Sequence, residues 1–126
     1  MQRMLRGQRI AVVGLSDNPS RAAHRIAQFL RSDGREVIPV NPNFDEVMGV
    51  RCYPTVASIP ETVDVVDVFR RSEFCADVVR DAIDAKASGV WLQSGIINTE
   101  ARHLAEEAGL GYVEDRCLMV EIMHAN

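Results

Sequence analysis

Apolar residues fall into two spacings along this chain, and the two alternate. Residues 10–13 form a short, wholly apolar run ending at Gly14, the pattern of a strand buried on both faces of a parallel sheet. Ser16, Asp17, Asn18, Pro19 and Ser20 follow as a loop with helix-start chemistry. Ala23, Ile26, Ala27 and Leu30 then recur at i, i+3, i+4 and i+7, one face of a helix that Gly34 stops. The unit repeats. Residues 37–40, 63–69, 90–93 and 112–114 predict four further strands. Cys75, Val78, Val79 and Ala82 predict a second helix, capped near Ser72 and stopped at Gly89. Ala101, Leu104, Ala105 and Ala108 predict a third, from Asn98 or Thr99 to Gly109. Residues 118–124 read as a short apolar helical tail with Met119 and Met123 on its inner face. Residues 43–62, with Gly49, Pro54 and Pro60, read as a loop containing at most one helical turn. Pro39 inside the second strand marks an edge, because proline cannot donate to a ladder.

Strict alternation of strand and helix demands crossover connections, which are right-handed almost always. The expected fold is therefore α/β: a Rossmann-like, doubly wound, five-stranded parallel sheet with helices on both faces. At 126 residues the chain fits a single domain spanning 1–126. Its 47% apolar and 25% charged residues are those of an ordinary globular protein and exclude disorder over most of the length. The net charge of −4 argues against a nucleic-acid binder. No run approaches the roughly 18 apolar residues of a membrane span, and residues 1–9 lack the apolar core of a secretion signal. Cys52, Cys75 and Cys117 form no CxxC pair, which points to reduced thiols in the cytoplasm. Lys86 is the single lysine among 14 basic residues, so a bound anion is met by Arg or by backbone N–H groups.

In an open α/β sheet, ligands bind beyond the carboxyl ends of the strands. Those ends carry Gly14, Leu15, Ser16, Asn18 and Arg21; then Asn41, Pro42 and Asn43; then Phe69, Arg70 and Arg71; then Gln93, Ser94 and Gly95; then Asp115, Arg116 and Cys117. Gly14 lets the chain turn sharply and approach a ligand, and the helix after Ser20 offers free N–H groups to an anion; a bare strand-to-helix turn would look similar. The loop is not GxGxxG, and Asn41 stands where a dinucleotide site places an acidic residue; both count against NAD or FAD. GxxxxGK[ST] is absent, excluding a P-loop NTPase. Arg70 and Arg71 suit phosphate recognition by guanidinium forks, or else are a solvated pair or form salt bridges to Asp17, Asp67 or Asp115. Asp64 and Asp67, three apart, lie on opposite strand faces and read as structural. His24, His103 and His124 share no metal-ligand spacing and read as surface residues. Cys52 and Cys75 read as filler. Cys117, beside Arg116 and a helix start, is either a thiol of lowered pKa or a small buried residue.

The peptides IAVVGLSDNPSR (10–21), VIPVNP (37–42), GVRCYPTVASIP (49–60), VDVVDVFRR (63–71), VWLQSGIIN (90–98) and EAGLGYVEDRC (107–117) resemble, in this order, the small stand-alone CoA-binding proteins. Those are similar to the N-terminal CoA-binding domain of the succinyl-CoA synthetase α subunit. The resemblance covers roughly residues 8–120. It implies binding of coenzyme A or an acyl-CoA, without catalytic activity. It places the pyrophosphate on residues 14–21, the nucleotide side on Asn41 and Pro42, adenine and ribose phosphate near Phe69, Arg70 and Arg71, and further contacts at Gln93, Ser94 and Gly95. Family members often carry Lys where Asn18 and Asn43 stand here. The synthetase's phosphorylated His belongs to a further domain, so ligase activity is not implied. Two alternatives stay open: a small NAD(P)-linked oxidoreductase, and a thiol or CoA-disulfide role for Cys117.

Overall fold

A computed structural model describes residues 1–125. Its five-stranded parallel sheet consists of β1 (Arg9–Val13), β2 (Glu36–Val40), β5 (Val65–Val68), β6 (Gly89–Leu92) and β7 (Gly111–Val113). The strand order is β2-β1-β5-β6-β7. The chain thus steps from β1 outward to β2, then returns past β1 to β5, and the sheet's topological switch lies between β1 and β5. Val12, Asp67 and Trp91 stand level across the three central strands. Pro39 lies on β2, the edge strand, as its missing N–H requires.

Helices cover both faces. On one side α2 (Ala22–Ser32) and α5 (Leu118–Ala125) bury Ala23, Ile26, Ala27, Leu30, Leu118 and Ile122 against Ile10, Val12, Val65 and Trp91. On the other, α3 (Cys75–Asp84) and α4 (Thr99–Glu107) bury Cys75, Val78, Val79, Ala82, Ala101 and Ala105 against Ala11, Val66, Val68, Val90 and Leu92. The stripes of α2 and α3 are the predicted ones; on α4 Ala101 and Ala105 face inward as expected, while Leu104 is half-buried and Ala108, the cap residue beyond the last turn, is exposed. Asn98 caps α4, its side chain accepting from the Ala101 N–H at 2.8 Å. Trp91 is fully buried, and its indole N–H donates to the Arg116 carbonyl at 2.8 Å.

Several local expectations are corrected. A short helix, α1 (Gln2–Leu5), precedes β1, and its Met4 seats against Gly89 and Gly111 at the amino ends of β6 and β7. The segment 43–62 contains a hairpin of β3 (Glu46–Val47) and β4 (Val50–Arg51), besides the expected single turn at Val56–Ser58. Met48 and Gly49 form its two-residue loop, both with positive φ, and such a loop joins strands too short to show a periodicity. Helix α3 ends at Asp84, capped by Ala85 with Lys86 in the left-handed region, so Gly89 is free to open β6. On α5 the inward residues are Leu118 and Ile122, while Met123 is exposed: the helix begins at Leu118, and that phase puts positions 118 and 122 over the sheet. His103 and His124 are exposed as expected, but His24 is buried with its Nδ1 unpartnered, because α5 packs beside α2.

Candidate functional site

The carboxyl ends of β1, β2 and β5 meet around Gly14. Its N–H donates to the Val40 carbonyl at 2.8 Å, and its φ of +95° turns the chain off the sheet. The loop that follows is held by its own polar side chains. Leu15 is fully buried beneath it, and the Asn41 amide donates to the Leu15 carbonyl at 3.2 Å. Asp17 accepts the Met48 N–H at 2.7 Å, pinning the loop to the hairpin. Asn18 accepts from the Ser20 N–H at 3.0 Å and the Ser20 hydroxyl at 2.7 Å, an arrangement of short polar side chains that shapes a turn. Arg21 occupies the cap position of α2 in an extended conformation and makes no side-chain cap bond. The first turn of α2 therefore keeps unsatisfied donors and a positive dipole end at the loop.

Two connected hollows open here, sharing Gly14, Asn41, Phe69 and Arg70. The one on the α2 side, about 630 Å³, also takes in Ser16, Asn18, Arg21, Phe44 and Ile96. The one on the α3 side, about 410 Å³, takes in Pro42, Asn43, Thr55, Phe74, Asp77 and Asp81. Together they form a cleft across the end of β1, at the switch between β1 and β5. The Arg70 guanidinium lies over the Phe74 ring, 4.5 Å from its centroid, a stacking that orients the cation between the two hollows.

Of the residues expected at a ligand, Gly14, Ser16, Asn18, Arg21, Asn41, Pro42, Phe69 and Arg70 come together in this cleft. The others stand apart. Leu15 is a core anchor. Arg71 is highly exposed and reaches Glu73 at 3.6 Å, and neither arginine pairs with Asp17, Asp67 or Asp115 among the described residues. Gln93 turns inward, buried, and accepts the Leu118 N–H at 3.1 Å. Ser94 is exposed, and the Gly95 N–H donates to Asp115 at 2.7 Å. These contacts tie the ends of β6 and β7 to the start of α5. Cys117 is half-buried against the α2–α5 layer and lines neither hollow. Cys52 and Cys75 are buried; burial pushes both thiols up, Cys75 to about 11 despite the nearby Arg70. No group of His, Cys, Asp and Glu among the described residues is arranged to hold a metal ion.

Phe44, Phe74, Thr55, Asp77, Asp81 and Ile96 line the cleft without having been singled out by sequence. Two of them left a trace there. Asp77 and Asp81 are one helical turn apart, flanking the buried Val78. Burial and the neighbouring Asp84 and Asp77 hold the Asp81 carboxyl above its usual range.

The sheet and its cleft define an α/β protein of Rossmann type whose opening lies at the carboxyl edge, on the topological switch. The chain belongs to the CoA binding domain family, whose sequence model matches residues 8–123. It is 40% identical over 115 residues to the uncharacterized protein YneT of Bacillus subtilis, covering 91% of this chain and 85% of that one. A hypothetical protein from Pyrococcus horikoshii has a solved structure with a TM-score of 0.93 and 40% identity, covering 98% of this chain and 87% of its own. The acetate–CoA ligase [ADP-forming] I of Archaeoglobus fulgidus is 27% identical over 128 residues; this chain matches 19% of that protein's length.

Proposed function

We propose that this chain is a single CoA-binding unit that holds coenzyme A or an acyl-CoA in the cleft at the end of β1 and carries out no catalysis itself. The observation that supports this best is the convergence of Arg21, Arg70 and the uncapped start of α2 on one hollow that contains no carboxylate. A diphosphate needs such a set of donors. The hollow on the α3 side, whose polar lining besides Arg70 is Asn41, Asn43, Thr55 and the carboxylates of Asp77 and Asp81, offers acceptors to the adenosine end. The partner is a small molecule rather than nucleic acid, in keeping with the net charge of −4. No helix of the described residues is long and apolar enough to cross a membrane, and three free thiols fit the reducing cytoplasm.

A ligand that binds only the native state stabilises it by about 2.7 kcal/mol at a hundredfold excess over Kd. Added CoA is therefore expected to raise the melting temperature in a dose-dependent way. No shift at millimolar CoA, with a shift on adding NAD(P)H instead, overturns the reading.

Arg70 gives the second test. Removing a charge-assisted contact costs about 1.5–3 kcal/mol, so Arg70→Ala is expected to weaken CoA by roughly ten- to a hundredfold. Adenosine, lacking phosphates, should lose much less in the same titration. Equal losses for both would show that Arg70 acts through its packing on Phe74.

A further inference from the structure

The two hollows of the cleft carry opposite electrostatic character. The α2 side is lined by Arg21 and Arg70 and by no carboxylate. The α3 side shares Arg70, but its other polar lining is Asn41, Asn43, Thr55 and the carboxylates of Asp77 and Asp81. Arg80 offsets only part of this charge, because the one cation is shared between Asp77 and Glu100, both at 2.8 Å, and Asp81 is left outside that pairing. Asp84 adds a further carboxylate along the same helix; burial first, and then Asp84 and Asp77, hold the Asp81 carboxyl above its usual range.

A diphosphate placed against Arg21 and the start of α2 leaves the adenosine for the α3 side. Its ribose then meets carboxylates. A free 3′-hydroxyl donates a hydrogen bond to such a group, as ribose hydroxyls do to the acidic residue of dinucleotide sites. A 3′-phosphate brings nearly two negative charges at neutral pH and is repelled. We infer that this chain prefers adenosine 5′-diphosphate ligands with a free 3′-hydroxyl, of the dephospho-CoA class, over their 3′-phosphorylated counterparts, with Asp77 and Asp81 as the specificity-determining residues. The inference rests on the CoA-type ligand proposed above and narrows it.

Titration calorimetry of the full chain at low salt, with CoA, dephospho-CoA and ADP as separate ligands, tests it. Dephospho-CoA is expected to bind about tenfold more tightly than CoA, with the gap closing in 0.5 M salt as charges are screened. In the Asp77→Asn/Asp81→Asn double variant the gap should close by a gain for CoA alone. CoA binding as tightly as dephospho-CoA overturns the inference and leaves the CoA reading standing. An unchanged gap in the double variant overturns the roles of the two aspartates. Failure of all three ligands to bind removes the CoA reading itself.

Discussion

Gly14→Ala is expected to destabilise the protein by about 3 kcal/mol or more and to abolish ligand binding. Two costs combine. With φ at +95°, an L side chain at position 14 is strained whatever the space around it. The added Cβ would also stand 2.6 Å from the Phe69 carbonyl oxygen, a backbone atom that moves only if the end of β5 moves with it. Both Gly14 and Phe69 line both hollows, so the displacement that relieves the contact reshapes the cleft. Gly95 supplies the control. Its φ of +82° carries the same strain, but a Cβ there meets nothing within 4 Å. Thermal unfolding of the two variants side by side should show the larger loss for Gly14→Ala, with CoA no longer raising its melting temperature. Equal losses would mean that the close approach of β1 and β5 costs nothing to relieve.

Asp67→Val is expected to stabilise the protein at neutral pH by at least about 1–3 kcal/mol. Asp67 is fully buried at the centre of the sheet, level with Val12 and Trp91, and neither carboxylate oxygen has a hydrogen-bond partner among the described residues. Burial alone holds its pKa well above the ordinary carboxylate value. Near pH 3 the group is protonated in both folded and unfolded chains, and its titration contributes no difference. As pH rises past about 4 the unfolded chain releases the proton while the folded one keeps it, so stability falls. That fall ends once pH passes the raised folded value. The advantage of Asp67→Val should therefore grow from pH 4 upward, read as melting temperature across the pH range in both proteins. A destabilised variant, or an advantage that does not vary with pH, would show that the carboxyl has a partner in solution. Among the described residues, His24, on the helix covering the same face, is the other buried polar side chain with an unpartnered atom; a His24→Gln background tells whether it answers Asp67.

Much of the architecture was legible because it depends on local spacing. The inner stripes of α2, α3 and α4 came from residues three and four apart, and the strands from short apolar runs between turn residues. Gly34 and Gly109 stopped their helices as read. The misplaced features had weak local signals. The hairpin at 46–51 has two-residue strands, α1 has four residues, and the end of α3 uses Lys86 in a conformation usually left to glycine.

The cleft divides the same way. Residues that line it through their own backbone position, such as Gly14, Asn41 and Phe69, were readable because the last residue of a parallel strand lies at the carboxyl edge whatever its side chain does. Gln93 and Cys117 also lie at that edge, yet Gln93 turns into the core to meet Leu118, and Cys117 packs into the α2–α5 layer. Asp77 and Asp81 come from a helix, and only the packing of α3 against β5 sets them over the end of β1. The order of elements and the identity of the edge follow from periodicities a few residues long. Which side chains share a cavity depends on contacts between residues tens of positions apart, and no local spacing encodes those.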